Sequence, residues 1–151
     1  MFTGFYIKIA FTLLFLSLNQ NSAKSQCEND ETLQACVGLI NNYKYVKTLN
    51  IEPDLFKKGV NEIEFSYVFN KGTTYIITVC DKNATGNKLI VDVFNNLGKK
   101  VLSSYNNESK KYYLKIIFPC ASTAVYRLKY SFSQGNSACG VSIIGIQSLK
   151  N

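Results

Sequence analysis

Thr123-Ala-Val-Tyr-Arg-Leu-Lys-Tyr-Ser-Phe-Ser133 alternates strictly through its middle. Tyr126, Leu128, Tyr130 and Phe132 fall on one side, and Arg127, Lys129 and Ser131 on the other. A period of two is the repeat of a strand with one face packed and one face wet. Working outward, the same period and the same β-branched and aromatic residues run from Tyr45 to near the end of the chain. They predict eight strands, at roughly 45–51, 61–69, 73–80, 88–94, 99–105, 111–119, 123–133 and 139–147. Phe65, Tyr67 and Phe69 share a face of the second, and Tyr75, Ile77 and Val79 a face of the third. Tyr112, Leu114, Ile116 and Phe118 share a face of the sixth. The fourth is apolar on both faces apart from Asp92.

Asn70-Lys71-Gly72 and Asn95-Asn96-Leu97-Gly98 have the composition of tight turns, and polar loops span 81–87, 106–110 and 134–138. Short strands with turns at this spacing predict an antiparallel β-sandwich, jelly-roll-like, with a closed barrel as the alternative. Connections this short leave no room for the crossover helices of a parallel sheet. One helix is expected, at 28–44, capped by Asn29 or Asp30, with Leu33, Cys36, Ile40 and Tyr43 on one face. That stripe reads as packing on the body of the domain.

The first 25 residues read differently. Lys8 precedes the apolar run Ile9-Ala-Phe-Thr-Leu-Leu-Phe-Leu-Ser-Leu18, and Ala23-Lys24-Ser25 offers small residues at a cleavage site. This predicts a signal peptide cut near Ser25, leaving 26–151 as one domain. The run is shorter than the ~20 apolar residues that span a bilayer. Gln26, not a small residue, precedes Cys27, so lipid attachment there is not expected. The whole chain of 151 residues has a net charge of +7; loss of Lys8 and Lys24 leaves 15 basic against 10 acidic side chains. The expected location is secreted or periplasmic, and that weighs against a nucleic-acid partner.

Five cysteines in a small exported domain predict one or two disulfides and an odd thiol. If consecutive strands alternate in direction, Cys80 and Cys139 lie at one end of the sandwich and Cys120 at the other. Cys80–Cys139 is then the favoured bridge, with Cys120 meeting Cys36 or Cys27 if the helix lies along the sandwich.

There is no histidine, which removes His-based triads and zinc sites. No catalytic residue, cofactor or metal set is identified, and the protein is not expected to be an enzyme. Glu62 and Glu64 read as solvated charges on an outer strand face. Asp81 and Asp92, with the Asn83 carbonyl, are the weak candidates for a cation site, although calcium takes six to eight oxygens. Tyr105 and Tyr113 are the candidates for exposed aromatic contact with a ligand. Lys57-Lys58, Lys99-Lys100 and Lys110-Lys111 sit at loops, where they serve solubility and edge protection or meet an anionic partner. Asn83-Ala84-Thr85 and Asn107-Glu108-Ser109 match the N-glycosylation pattern.

Phe65-Ser-Tyr-Val-Phe-Asn-Lys-Gly-Thr-Thr-Tyr-Ile-Ile-Thr-Val-Cys80, then Leu89-Ile-Val-Asp-Val-Phe-Asn-Asn-Leu-Gly98, then Ala138-Cys-Gly-Val-Ser-Ile-Ile-Gly145 resemble the layout of small exported bacterial proteins of unassigned function. The order is also similar to the pre-peptidase C-terminal type of β-sandwich, a secreted accessory module. That module's acidic residues before the middle strand are represented here by Asp92 alone. The resemblance implies a sandwich fold and brings no active site. The expected function is a non-catalytic binding or structural module of the cell envelope or extracellular space. Its expected partner is a cell-surface glycan, an envelope component or a secreted protein. A carboxylate-dependent glycan hydrolase and a small secreted inhibitor are the alternatives.

Overall fold

The computed structural model describes residues 27, 30–82, 86–135 and 138–147. The expected signal peptide, the Asn83 motif and the Asn29 cap lie outside them. Among the described residues the order is α1 (Asp30–Gly38), β1 (Tyr43–Ile51), a 3-10 turn (Pro53–Leu55), β2 (Glu62–Phe69), β3 (Thr74–Thr78), β4 (Cys80–Asp81), β5 (Leu89–Phe94), β6 (Lys100–Ser103), β7 (Tyr105–Asn106), β8 (Lys111–Tyr112), β9 (Lys115–Pro119), β10 (Ala124–Phe132) and β11 (Gly140–Gln147).

Alternation along these strands resolves into two antiparallel sheets. The first runs β1-β11-β3-β9, with β4 also on β11, and the second runs β2-β10-β5-β6. Taking β3 and β4 as one strand and setting the β7–β8 hairpin aside, the eight main strands order as 1-8-3-6 and 2-7-4-5. This is the jelly-roll sandwich that the turn spacing predicts.

Inward side chains of both sheets make one core. Tyr126, Leu128, Tyr130 and Phe132 of β10 are all buried, as are Tyr75 and Ile77 of β3. Phe69 at the end of β2 is fully buried and packs its ring against Tyr67, Tyr75, Phe118 and Tyr126 at centroid distances of 4.4–5.5 Å. Burying a side chain of this kind is worth about 1.5–3 kcal/mol.

The centre of the first sheet, β3 and β11, is buried on its outer face as well. Ile76, Cys80, Val141 and Ile143 lie beneath Cys36 and Ile40, with Leu33 and Tyr43 packed alongside. The expected stripe of α1 therefore packs on the domain. Close contact demands glycine at position 145, where β11 runs between β1 and β3. A Cβ there would meet Ile76 Cγ2 at 2.9 Å and the Lys44 carbonyl oxygen at 3.2 Å.

Three boundaries differ from the sequence reading. The helix ends at Gly38, and Tyr43 already belongs to β1, because residues 39–42 form turns. The expected fifth strand stops at Ser103, and buried Ser104 bonds across to Val91 through both its N–H and its Oγ, each at 2.9 Å. The expected sixth strand breaks at 113–114, where Tyr113 N–H donates to the Ser104 carbonyl and the Leu114 carbonyl accepts from Val79 N–H. Tyr112 and Leu114, expected in the core, are consequently 43% and 52% exposed. Ile116 and Phe118 remain inside.

Candidate functional site

Cysteine chemistry comes first because it fixes the N-terminal segment. Cys36 bonds to Cys80 and Cys27 to Cys139, with Cα–Cα distances of 5.8 and 5.7 Å. This corrects the expected Cys80–Cys139 bridge and the expected partners of Cys120. The end-to-end reasoning itself holds. Cys80 opposes Val141 on β11, two residues from Cys139. Cys120 lies at the far end, where its N–H donates to the Thr73 carbonyl. What the reasoning missed is the outward side of β3 and β11. Residues 140–145 are buried on both faces, so an element must cover the outer one, and α1 brings Cys36 there. Cys120 stays a buried thiol, donating to the Ser122 carbonyl at 3.1 Å.

The carboxylates are placed apart and given cations. Asp81, on β4 of the first sheet, pairs with Lys88 at 3.6 Å and accepts from Leu89 N–H. Asp92, on β5 of the second sheet, pairs with Lys100 at 3.0 Å, while its Oδ1 is shut off from solvent without a hydrogen-bond partner among the described residues. Asn83 lies outside the described residues. Among those described, no group of three His, Cys, Asp or Glu side chains could hold a metal ion. Glu62 and Glu64 stand on the outer face of β2, paired with Lys129 at 3.5 Å and Arg127 at 3.7 Å from β10. Such exposed pairs contribute under about 1 kcal/mol each. Their arrangement is a charge-balanced sheet face, with Lys129 also lying 5.3 Å above the Phe94 ring.

Aromatic side chains gather at the β7–β8 hairpin. Tyr105 and Tyr112 are register partners, and their rings stack at 4.6 Å with 30° between planes. The hairpin loop is pre-shaped. Asn106 Oδ1 accepts from Glu108 N–H and Ser109 N–H, both at 2.9 Å, and Lys110 takes a left-handed φ of 55°. Tyr112 and Tyr113 are exposed beside Lys110 and Lys111, and Tyr105, the other ring of the stack, is half-buried. Tyr113 is thus exposed as expected of a contact residue, and Tyr112 was missed because its parity assigned it to the core. The Asn107-Glu108-Ser109 motif lies in this same exposed loop.

Two tyrosines have their pKa raised: Tyr130 at the centre of the core and Tyr67, partly buried against it. Burial lifts the Tyr130 hydroxyl well above its ordinary value, against a smaller opposing pull from its 2.8 Å hydrogen bond with Ser142 Oγ. Tyr67 is raised by desolvation first and by Tyr75 second. Neither lies at the hairpin.

No helix among the described residues is long and apolar enough to cross a membrane. No protein-family model and no curated protein matches the chain. A solved structure similar to it is the periplasmic inhibitor of g-type lysozyme from Aeromonas hydrophila, with 9% identity and a TM-score of 0.47, covering 70% of this chain and 88% of that one.

Proposed function

We propose that this protein is an exported, non-catalytic binding module whose contact surface is the β7–β8 hairpin. The observation that carries the reading is the pre-shaped hairpin, which presents Tyr112 and Tyr113 beside Lys110 and Lys111. Flat tyrosine faces take sugar rings, and neighbouring lysines take acidic groups. An acidic cell-envelope glycan is the partner class this surface fits. Export is supported by the leader pattern and by two disulfides, which persist in oxidising compartments. A binding role is supported by the carboxylates, whose nearest partners are lysine and arginine across a flat sheet face rather than one another across a cleft.

The test is glycan-array and calorimetric binding with the oxidised chain lacking residues 1–25. Acidic envelope glycans are expected to bind, and Tyr112→Ala with Tyr113→Ala is expected to weaken them at least tenfold. Absence of binding across acidic and neutral glycans would overturn the reading. Binding that is indifferent to both tyrosines would also do so.

A further inference from the structure

We propose a second binding site, remote in sequence from the hairpin and independent of its glycan: the free edge of β2, where an extended peptide adds as one more strand. The inference starts from how the sheet edges are guarded. Among the described residues the two main sheets have four edge strands: β1 and β9 in the first, β2 and β6 in the second. Natural edges are blunted by bulges, prolines, lysines or shortness. Three of these four comply. β1 breaks register between Tyr45 and Lys47 and carries Lys44 as well. β9 is five residues long, opening on Lys115 and closing on Pro119. β6 is four residues long, opens on Lys100, and shifts register against Val93 and Phe94.

β2 has none of these guards. Glu62-Ile-Glu-Phe-Ser-Tyr-Val-Phe69 holds unbroken register with β10 over all eight residues and contains no lysine, proline or glycine. Its only charges, Glu62 and Glu64, are answered from behind by Lys129 and Arg127. A strand in this state presents backbone N–H and C=O groups that another extended chain can use.

Beside that edge lies a groove of about 480 Å³. Leu55 and Val60, 44% and 47% exposed, form its wall together with Lys57, and Ile63, Phe65, Glu62 and Glu64 form its strand side, so two carboxylates face one ammonium in the lining. Inward and outward residues of β2 both line it, and no residue of β10 does, so it opens sideways from the strand. An added strand points alternate side chains to the two faces of the sheet. One set meets Leu55, Val60, Ile63 and Phe65, and the other meets the two glutamates. The occupant is therefore a peptide alternating apolar and basic residues. A second copy of this chain is a poorer fit. Its own β2, Glu62-Ile-Glu-Phe-Ser-Tyr-Val-Phe69, carries two glutamates and no basic residue to set against Glu62 and Glu64.

The experiment uses the oxidised chain lacking residues 1–25 and a fluorescein-labelled ten-residue peptide of alternating valine and lysine, read by anisotropy. Binding is expected, with amide exchange slowed along β2. Methylating alternate backbone nitrogens on either edge of the peptide separates main-chain pairing from charge attraction. One methylation pattern is expected to weaken binding at least tenfold while the other leaves it. Replacing valine by serine, or the protein change Leu55→Ser with Val60→Ser, is expected to weaken it at least tenfold too. Both protein positions are exposed, and the peptide variants decide the matter on the unaltered protein. Equal binding of every peptide would reduce the effect to charge and overturn the proposal. So would no binding, or concentration-dependent self-association protecting β2 in place of peptide capture. Glycan binding at the hairpin is measured separately, so the two readings fail separately.

Discussion

Replacing Cys36 and Cys80 together by alanine removes the bridge that clamps α1 onto the outer face of the first sheet. The bridged residues are 44 apart in sequence. Chain-entropy loss for a loop of that size gives about 4 kcal/mol at 25 °C. The Cys27–Cys139 bridge spans 112 residues and encloses the first. With Cys36–Cys80 in place, the path it closes is shortened, and the same relation gives about 4 kcal/mol for it as well. A domain holds about 5–15 kcal/mol in all, so either loss is a large share. With a guanidinium slope near 4 kcal/mol per molar, the midpoint of the Cys36→Ala, Cys80→Ala chain is expected to fall by about 1 M. A second variant, Cys27→Ala with Cys139→Ala, differs from the first in which amides are released. Losing Cys36–Cys80 also loosens Cys36 and Ile40 from Ile76, Val141 and Ile143. Protection against hydrogen exchange is expected to vanish in α1 while β10 and β5 keep theirs. The assay is guanidinium unfolding followed by tyrosine fluorescence, paired with exchange mass spectrometry. A midpoint lowered by under about 0.2 M at unchanged slope would refute the reasoning, because the bridge would then constrain nothing the packing does not already hold.

Other consequences follow from single side chains. Gly145→Ala pushes a methyl into Ile76 and the Lys44 carbonyl and is expected to cost about 1–3 kcal/mol in urea unfolding, whereas Gly38→Ala, with open space around it, is expected to cost nothing. Tyr130→Phe leaves Ser142 Oγ without its partner and is expected to lower stability at pH 7 by about 1–3 kcal/mol. Tyr130 has its folded pKa raised above the ordinary value of 10.0, so its neutral form contributes fully below pH 10 and that contribution is lost as pH rises beyond it. Stability measured from pH 9 to 11 is therefore expected to fall more steeply in the parent chain than in Tyr130→Phe; equal slopes would count against it. Cys120 is 4% exposed, so a thiol reagent is expected to find no reactive group in the native protein and one after unfolding.

Much of this architecture is legible in the residues because a sandwich writes itself as alternation. The β10 pattern of Tyr126, Leu128, Tyr130 and Phe132 needs no tertiary information to be read. The same rule fails where the chain bends. Tyr112 and Leu114 have the parity of Ile116 and Phe118, but the break at 113–114 turns them outward, and nothing in residue type marks that break. Cysteine pairing was half legible. Strand direction brings Cys80 near Cys139, yet direction says nothing about which face a side chain takes. Parity does: Ile76, Thr78 and Cys80 alternate with the inward Tyr75, Ile77 and Val79, and the doubly buried run at Val141–Ile144 calls for a cover. The hairpin's exposure was legible at Tyr113 but not its stack, which depends on β7 and β8 meeting in register. The unguarded edge of β2 was invisible in sequence, since only strand order tells an edge from a centre.

All of this presumes a chain that folds and oxidises outside the reducing interior of a cell. Peptide mapping without reduction, on protein recovered from the exported fraction of cells that make it, tests that directly. The expected map contains linked fragments Cys27–Cys139 and Cys36–Cys80, and a single alkylated cysteine at Cys120. Five alkylated cysteines, or a fragment joining Cys80 to Cys139, would contradict it.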